Sequence, residues 1–360
     1  MINTINPNML VLAREVNGLN QKELSSKVGI TQGALSKIEL GLLPASKEII
    51  ESFSKQLGFP ASFFIQDGNL YEPTLYYRRK YRTSKKILSR AIAEMNLIRI
   101  SIQQLLKTVE LDSPKIPYFD VETDGTPETI AKKLRDYWQI PKGPIDSLIS
   151  LIESKGIIII YTNFDSDDVS GSGMFTIDRV PIIYINKNMP MCRKRFTICH
   201  ELFHILAHVN SSVEESREIE KEADRFASEF LMPSDTIYSH LTGRLTVSKL
   251  ADLKKYWKTA MSSILMKANT LHIISERHYR TLWTQMAPFK KNEPKELEPP
   301  TEHPKIISKI IELIRKDLDF SDDELMRLLN MNIDSINRRF KSENARLRIS
   351  SSNFGNMTLN

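Results

Sequence analysis

Residues 196–208 read FTICHELFHILAH, and EIEKEADRFASEFLMP follows at 218–233. His200 and His204 lie four apart, so on a helix they share a face and both imidazoles can reach one Zn²⁺. Glu201 lies one residue around, placed to touch a metal-bound water as general base rather than the metal itself. The pattern is short, so its surroundings matter. The chain has 7 His, and three of them (His200, His204, His208) fall in this one segment. Phe196, Ile198, Leu202, Phe203, Ile205 and Leu206 make the flanks apolar, as a buried active-site helix requires. His208 sits two turns beyond His200, about 12 Å along the axis. That is too far to share the metal with both others, so it reads as a capping or packing residue. Cys199 points off the ligand face, into the core.

A catalytic zinc needs a third protein ligand and one open position. In the 218–233 helix, Ala223, Phe226, Ala227, Phe230 and Leu231 form the apolar face. Glu220 and Asp224 share another. Glu220 reads as the ligand, and Asp224 as the hydrogen-bond partner of a ligating histidine's distal nitrogen. Glu222, about 200° around the helix, remains the rival ligand. Glu218 and Glu229 are expected to be solvated.

Upstream, amphipathic helices are expected over 128–140 and 144–155. IIIIY at 157–161 reads as a buried strand, and GMFTI (173–177) with PIIYIN (181–186) as a hairpin. GMFTI has two open readings: an edge that holds peptide by strand addition, or an ordinary hairpin strand.

The N-terminal quarter follows different rules. Residues 19–41 read LNQKELSSKVGITQGALSKIELG. Asn20 and Glu23 form a capping-box pattern, Gly29 allows a tight turn, and Thr31 caps the next helix. Leu24, Val28, Ile30, Leu35 and Ile38 point inward. Gln32, Gly33, Ser36 and Lys37 are left outward, where a recognition helix meets base edges. Gln21 would sit at a phosphate. Residues 1–90 carry 13 Lys/Arg against 7 Asp/Glu, and the remainder carries 37 of each. The excess positive charge is thus confined to this module and points to a polyanion partner. The run Arg78, Arg79, Lys80, Arg82, Lys85, Lys86 and Arg90 reads either as further phosphate contacts or as a solvated linker face.

Composition sets the outer limits. The 360 residues are 41% hydrophobic and 26% charged, which is globular material for two or three domains. No apolar run is long enough for a membrane span, and the N-terminus lacks a secretory pattern. Cys192 and Cys199 are the two cysteines, which excludes a disulfide scaffold and fits a reducing cytoplasm.

Residues 8–65 resemble the Cro/CI-type (XRE-family) helix-turn-helix. The resemblance implies a five-helix domain that binds double-stranded operator DNA as a homodimer. Gly33 stands where many relatives carry a long polar residue, so one base contact is expected to be missing. Residues 110–235 resemble the ImmA/IrrE family of zinc metallopeptidases. That resemblance implies a zincin-like half-domain with His200, His204 and Glu220 as Zn²⁺ ligands and Glu201 as catalytic base. It also implies a protein substrate such as a repressor. The expected fold is α+β, mostly α. It comprises the helix-turn-helix domain (8–65), a basic junction and linker helix (66–110) and a metallopeptidase domain with a small mixed sheet (111–285). An exposed linker (286–304) and a small helical region (305–341) follow. Residues 322–340 faintly echo helix-turn-helix spacing, and the preferred reading is an interaction or dimerisation pair. The alternative function is a repressor or antitoxin-like protein whose zinc domain is sensory or structural.

Overall fold

The computed structural model describes residues 5–71, 84–109, 113–208, 217–289 and 293–340. Arg78, Arg79, Lys80 and Arg82 of the basic run lie outside them, as does the 342–360 tail expected to fray. Among the described residues no helix is long and apolar enough to cross a membrane.

Helices α1 (Pro7–Val16), α2 (Gln21–Val28), α3 (Gln32–Glu39) and α4 (Lys47–Leu57) form the N-terminal unit. A 3-10 turn at Ala61–Ile65 stands where the fifth helix is expected. Asn20 and Glu23 close the capping box on α2. Gly29 then leaves the helix with φ 77°, a left-handed conformation that side chains resist. Thr31 accepts from the Ala34 N–H and so starts α3. Met9, Leu24, Leu35, Phe53 and Phe63 are fully buried between these helices.

Helix α5 (Lys85–Leu106) is expected as a linker, yet every residue from Met95 to Ile102 is buried, the polar Asn96, Arg99 and Ser101 included. A helix segment covered on all sides belongs to an interior. It packs on α1 and shares one continuous apolar cluster with the N-terminal unit and the sheet.

Helices α6 (Val121–Asp124), α7 (Pro127–Tyr137) and α8 (Leu148–Ser154) lead into that sheet. Its strands are β1 (Ile158–Thr162), β2 (Gly171–Phe175) and β3 (Pro181–Asn186), in the order β1-β3-β2. β1 runs parallel to β3, and β2 pairs antiparallel as the expected hairpin. β3 is buried along its whole length, and β2 is an edge. Alternate residues serve two cores, as the period of a strand dictates. Ile158, Ile160, Met174, Ile182 and Tyr184 join the α5 cluster. Ile159, Ile183 and Ile185 join the cluster built on α9 (Met191–Phe203). Tyr184 donates its hydroxyl to the Met95 carbonyl on α5 at 2.9 Å.

The remaining helices are α10 (Arg217–Leu231), α11 (Ser234–Leu241), α12 (Val247–Trp257), α13 (Met261–Thr270) and α14 (Glu276–Gln285). A C-terminal trio follows: α15 (Ile306–Asp317), α16 (Asp322–Leu329) and α17 (Ile333–Phe340). The trio packs into the α5 cluster.

The described part of the stretch 286–304 is not an exposed linker. Its described residues from 293 onward form a strap held by three carboxylates. Glu293 and Glu298 pair with Lys254, which is fully buried. Glu302 pairs with fully buried Arg195 on α9 and accepts from the Ile149 N–H at 2.9 Å. Glu298 also accepts from the Cys192 N–H at 3.2 Å, serving an α9 N-terminus that has no side-chain cap of its own. Buried cations must be paired, and these find their partners in the strap.

Glu302→Ala leaves Arg195 buried without its counter-charge. The expected cost is about 3–5 kcal/mol, read as a lower urea midpoint. An unchanged midpoint would return the segment to the status of a loose linker.

Candidate metal centre and nucleic-acid interface

Helix α9 runs against one face of the sheet and continues into a single π-helical turn, His204–His208. Helix α10 packs on α9, with Phe203 and Phe226 stacked at 4.7 Å. The two helices bring His200 Nε2, His204 Nε2 and the Glu220 carboxylate within 4.8 Å of one another. The two Nε2 atoms are 3.1 Å apart, and each lies 3.5 Å from a Glu220 oxygen. Ligands about 2.0–2.2 Å from a tetrahedral zinc stand about 3.3–3.5 Å from each other. The cradle therefore has the right size. Among the described residues Glu201 Oε2 is buried with no hydrogen-bond partner, and the buried Glu220 oxygens meet only the two imidazoles at 3.5 Å. A cation in the cradle would satisfy Glu220, whose burial is otherwise costly. The residues fit a metal ion.

Helix α10 also holds the far side of each imidazole. His200 Nδ1 lies 3.0 Å from Asp224 Oδ1, the partner read from the sequence. His204 Nδ1 meets His208 Nδ1 at 2.8 Å, and His208 Nε2 meets Glu222 Oε2 at 3.1 Å. So His208 stands outside the cradle as a buried packing residue that links His204 to α10, and Glu222 sits on His208 instead of in the cradle. The π turn reshapes the backbone at this point, and its Leu206 carbonyl accepts from the Phe119 N–H at 2.9 Å. Glu218 is exposed as expected. Glu229 is not solvated: it is buried and accepts from Lys267 Nζ at 2.5 Å and the Ser234 N–H at 3.0 Å.

The partners decide the charge of each buried group. Burial disfavours the charged form of His200, but Asp224 and Glu220 outweigh it and raise the pKa to about 9. Burial lowers His204 to about 4 and His208 to about 3. Burial raises Glu220, yet the facing His200 and His204 bring it down to about 2. Burial lifts Glu201 to about 8, only partly offset by His200 and the Gly173 N–H. Two neighbouring carboxyls are thereby pushed apart, one an anion and one a proton carrier near neutral pH. Gly173 belongs to the edge strand β2, which lies close on α9. A Cβ at its neighbour Gly171 would come within 2.7 Å of Thr197 Cγ2 on α9.

In the N-terminal unit, Gln32, Gly33 and Lys37 are exposed and Ser36 is half-buried, along one side of α3. Space is open around Gly33, where an added Cβ meets nothing within 4 Å. The Thr31 hydroxyl is used as the helix cap. Gln21 is committed within the unit. Its Nε2 donates to Glu39 Oε2 at 2.8 Å, and its Oε1 accepts from Gln32 Nε2 at 2.9 Å. Glu39 in turn is held by buried Arg14 at 2.6 Å. The chain Arg14–Glu39–Gln21–Gln32 thus fixes the start of α3. The sequence reading missed Arg14 and Glu39, whose pairing joins helices far apart in the chain.

The helix-turn-helix family matches residues 11–64, and the IrrE N-terminal-like domain family matches residues 152–269. This chain joins an XRE-type DNA-binding domain to an ImmA/IrrE metallopeptidase-like domain. No curated protein matches it in sequence. The ImmA/IrrE-like domain contains the sheet, the cradle and both helices that build it.

In chelator-treated protein, Glu201 stays protonated in the fold up to about pH 8, whereas the unfolded chain ionises near 4.5. Stability therefore falls as pH rises between those values. Glu201→Gln removes the penalty. The variant should be more stable than wild type at pH 8 by about 2–4 kcal/mol, with the gap closing toward pH 4.5. Equal stabilities in thermal melts at both pH values would place Glu201 in water.

Proposed function

We propose that the chain is a DNA-binding regulator whose zinc-dependent endopeptidase domain cleaves a regulatory protein, such as a repressor, in a stress or mobile-element response. His200, His204 and Glu220 hold the Zn²⁺, and Glu201 is the general base. The observation that carries this reading is Glu201 itself, a buried carboxyl beside the cradle with one oxygen that has no partner among the described residues. A purely structural metal site has no use for such a group.

Zinc in this cradle supplies Lewis acidity toward the scissile carbonyl and makes water more acidic. Glu201 takes the proton from the attacking water and returns it to the leaving amine. Asp224 fixes the ring of His200, and His208 with Glu222 fixes that of His204. The edge of β2 offers backbone groups along which an extended peptide can align. At the other end, Gln32, Gly33, Ser36 and Lys37 face the bases of double-stranded operator DNA. Gln21 and Thr31 set the angle of α3, and a second copy in a homodimer reads the other half-site.

Metal analysis separates the ligands. Wild type should bind about one zinc, and Glu220→Ala should lose it. His208→Ala and Glu222→Ala should keep a site weakened about 10–100-fold in zinc affinity. Loss of all zinc in Glu222→Ala with retention in Glu220→Ala would reverse their roles.

Catalysis is tested in cells by comparing newly formed protein N-termini between wild type and Glu201→Gln at equal metal content. Fragments confined to wild type are expected. A Glu201→Gln variant that regulates normally would instead support a sensory or structural zinc domain.

A further inference from the structure

The C-terminal pair α16–α17 repeats the helix-turn-helix of α2–α3 landmark by landmark. Asn20 and Ser321 are N-caps, and each closes a capping box with a Glu three residues on, Glu23 and Glu324. Each first helix then runs for 8 residues. Each ends on a left-handed residue, Gly29 at φ 77° and Asn330 at φ 48°. Asn is the side chain that best tolerates this conformation. Two residues later comes a second cap. Thr31 accepts from the Ala34 N–H at 3.1 Å, and Asn332 from the Ser335 N–H at 2.8 Å. The second helices, α3 and α17, are also 8 residues each. Four of the five interior positions match: Leu24, Val28, Ile30 and Leu35 find counterparts in Leu325, Leu329, Met331 and Ile336, all four of the latter buried, whereas Ile38 is replaced by Arg339.

We infer that α16–α17 is a second DNA-reading unit, with α17 as its recognition helix. In the shared register Gln32, Gly33, Ser36 and Lys37 are replaced by Ile333, Asp334, Asn337 and Arg338; Ile333 packs against the core and Asp334 is acidic, so Asn337 and Arg338 are the pair left to read bases. Their burial matches as well: Asn337 is half-buried like Ser36, and Arg338 is exposed like Lys37. Amide and guanidinium side chains suit adenine and guanine edges. The Arg338 guanidinium rests on Ser335 Oγ of its own helix at 3.2 Å.

The unit is fixed relative to the first. Asn330 bonds Ser62 at 2.6 Å and Gln66 at 2.8 Å, and Asn332 donates to the Gly58 carbonyl at 3.2 Å. Arg339 pairs with Glu94 on α5 at 2.7 Å. Two recognition helices on one rigid body are what symmetric repressors obtain by dimerising.

The second unit is the weaker of the two. Asp322 and Asp323 replace Gln21 and Lys22 in the turn nearest the phosphates. Arg315 neutralises Asp322 at 2.5 Å, but the acidic turn still opposes binding to the DNA backbone. The unit therefore adds sequence discrimination once α3 has anchored the duplex.

The inference rests on α2–α3 binding DNA, and the test keeps the two apart. The full chain, Lys37→Ala and Asn337→Ala/Arg338→Ala are used to select from duplexes randomised over about 40 base pairs, roughly four helical turns. Wild type should select, within each half-site, a motif in two parts, one read by α3 and one by α17. Asn337→Ala/Arg338→Ala should keep the first part and lose the second. It should bind the best wild-type duplex about tenfold more weakly, with an unchanged thermal melt. Lys37→Ala should alter the first part. If the double variant selects the wild-type motif with wild-type affinity, α17 is a protein-docking or packing helix and the inference is overturned. If wild type selects no DNA at all, the reading of α2–α3 falls with it.

Discussion

A three-stranded sheet that is apolar on both faces must be covered twice, and the rest of the chain is arranged to meet that requirement. α9 covers one face and, with the π turn that continues it, carries His200, Glu201 and His204. α5 covers the other with Met95 and its neighbours, and the buried Tyr184–Met95 hydrogen bond ties the two together. Because α5 also packs on α1, the cover of the sheet is at the same time the floor of the DNA-binding unit. The helix-turn-helix and the metallopeptidase-like site are therefore parts of one packed body. The strap reinforces this: Glu302 and Glu298 grip the start of α9, and the chain then runs on into α15–α17.

The second constraint is charge. α10 brings Glu220, Glu222 and Asp224 to a buried site, and each has a distinct recipient: the cradle, His208 and His200. The spacing of these carboxyls makes the assignment possible. Glu220 and Asp224 share a helix face, and Glu222 looks another way, where His208 waits. Both imidazoles of the cradle are held at their far nitrogens, so neither ring is at liberty to turn.

The sequence showed clearly those features that local rules fix. The capping box at Asn20, the Gly29 turn and the Thr31 cap are contained in a dozen residues. The His200/His204 face and the Asp224 partner follow from helical spacing alone. The features it concealed depend on contacts between distant segments. Nothing near Lys254 or Arg195 announces that both are buried, so the glutamates that pair with them read as solvated linker charge. Glu229 was misjudged for the same reason, since its partner Lys267 lies on another helix. His208 was placed by assuming a straight α-helix, whereas a π turn intervenes. The echo of a helix-turn-helix at 322–340 was faint because Asn330 stands where a glycine is the usual signal.

X-ray absorption at the zinc edge of the metal-loaded chain examines the cradle most directly. The predicted spectrum has four nitrogen or oxygen neighbours at about 2.0–2.1 Å, two of them imidazoles. A sulfur neighbour, or a third imidazole, would mean that Cys199 or His208 binds the metal and that the Glu220 cradle is not the site.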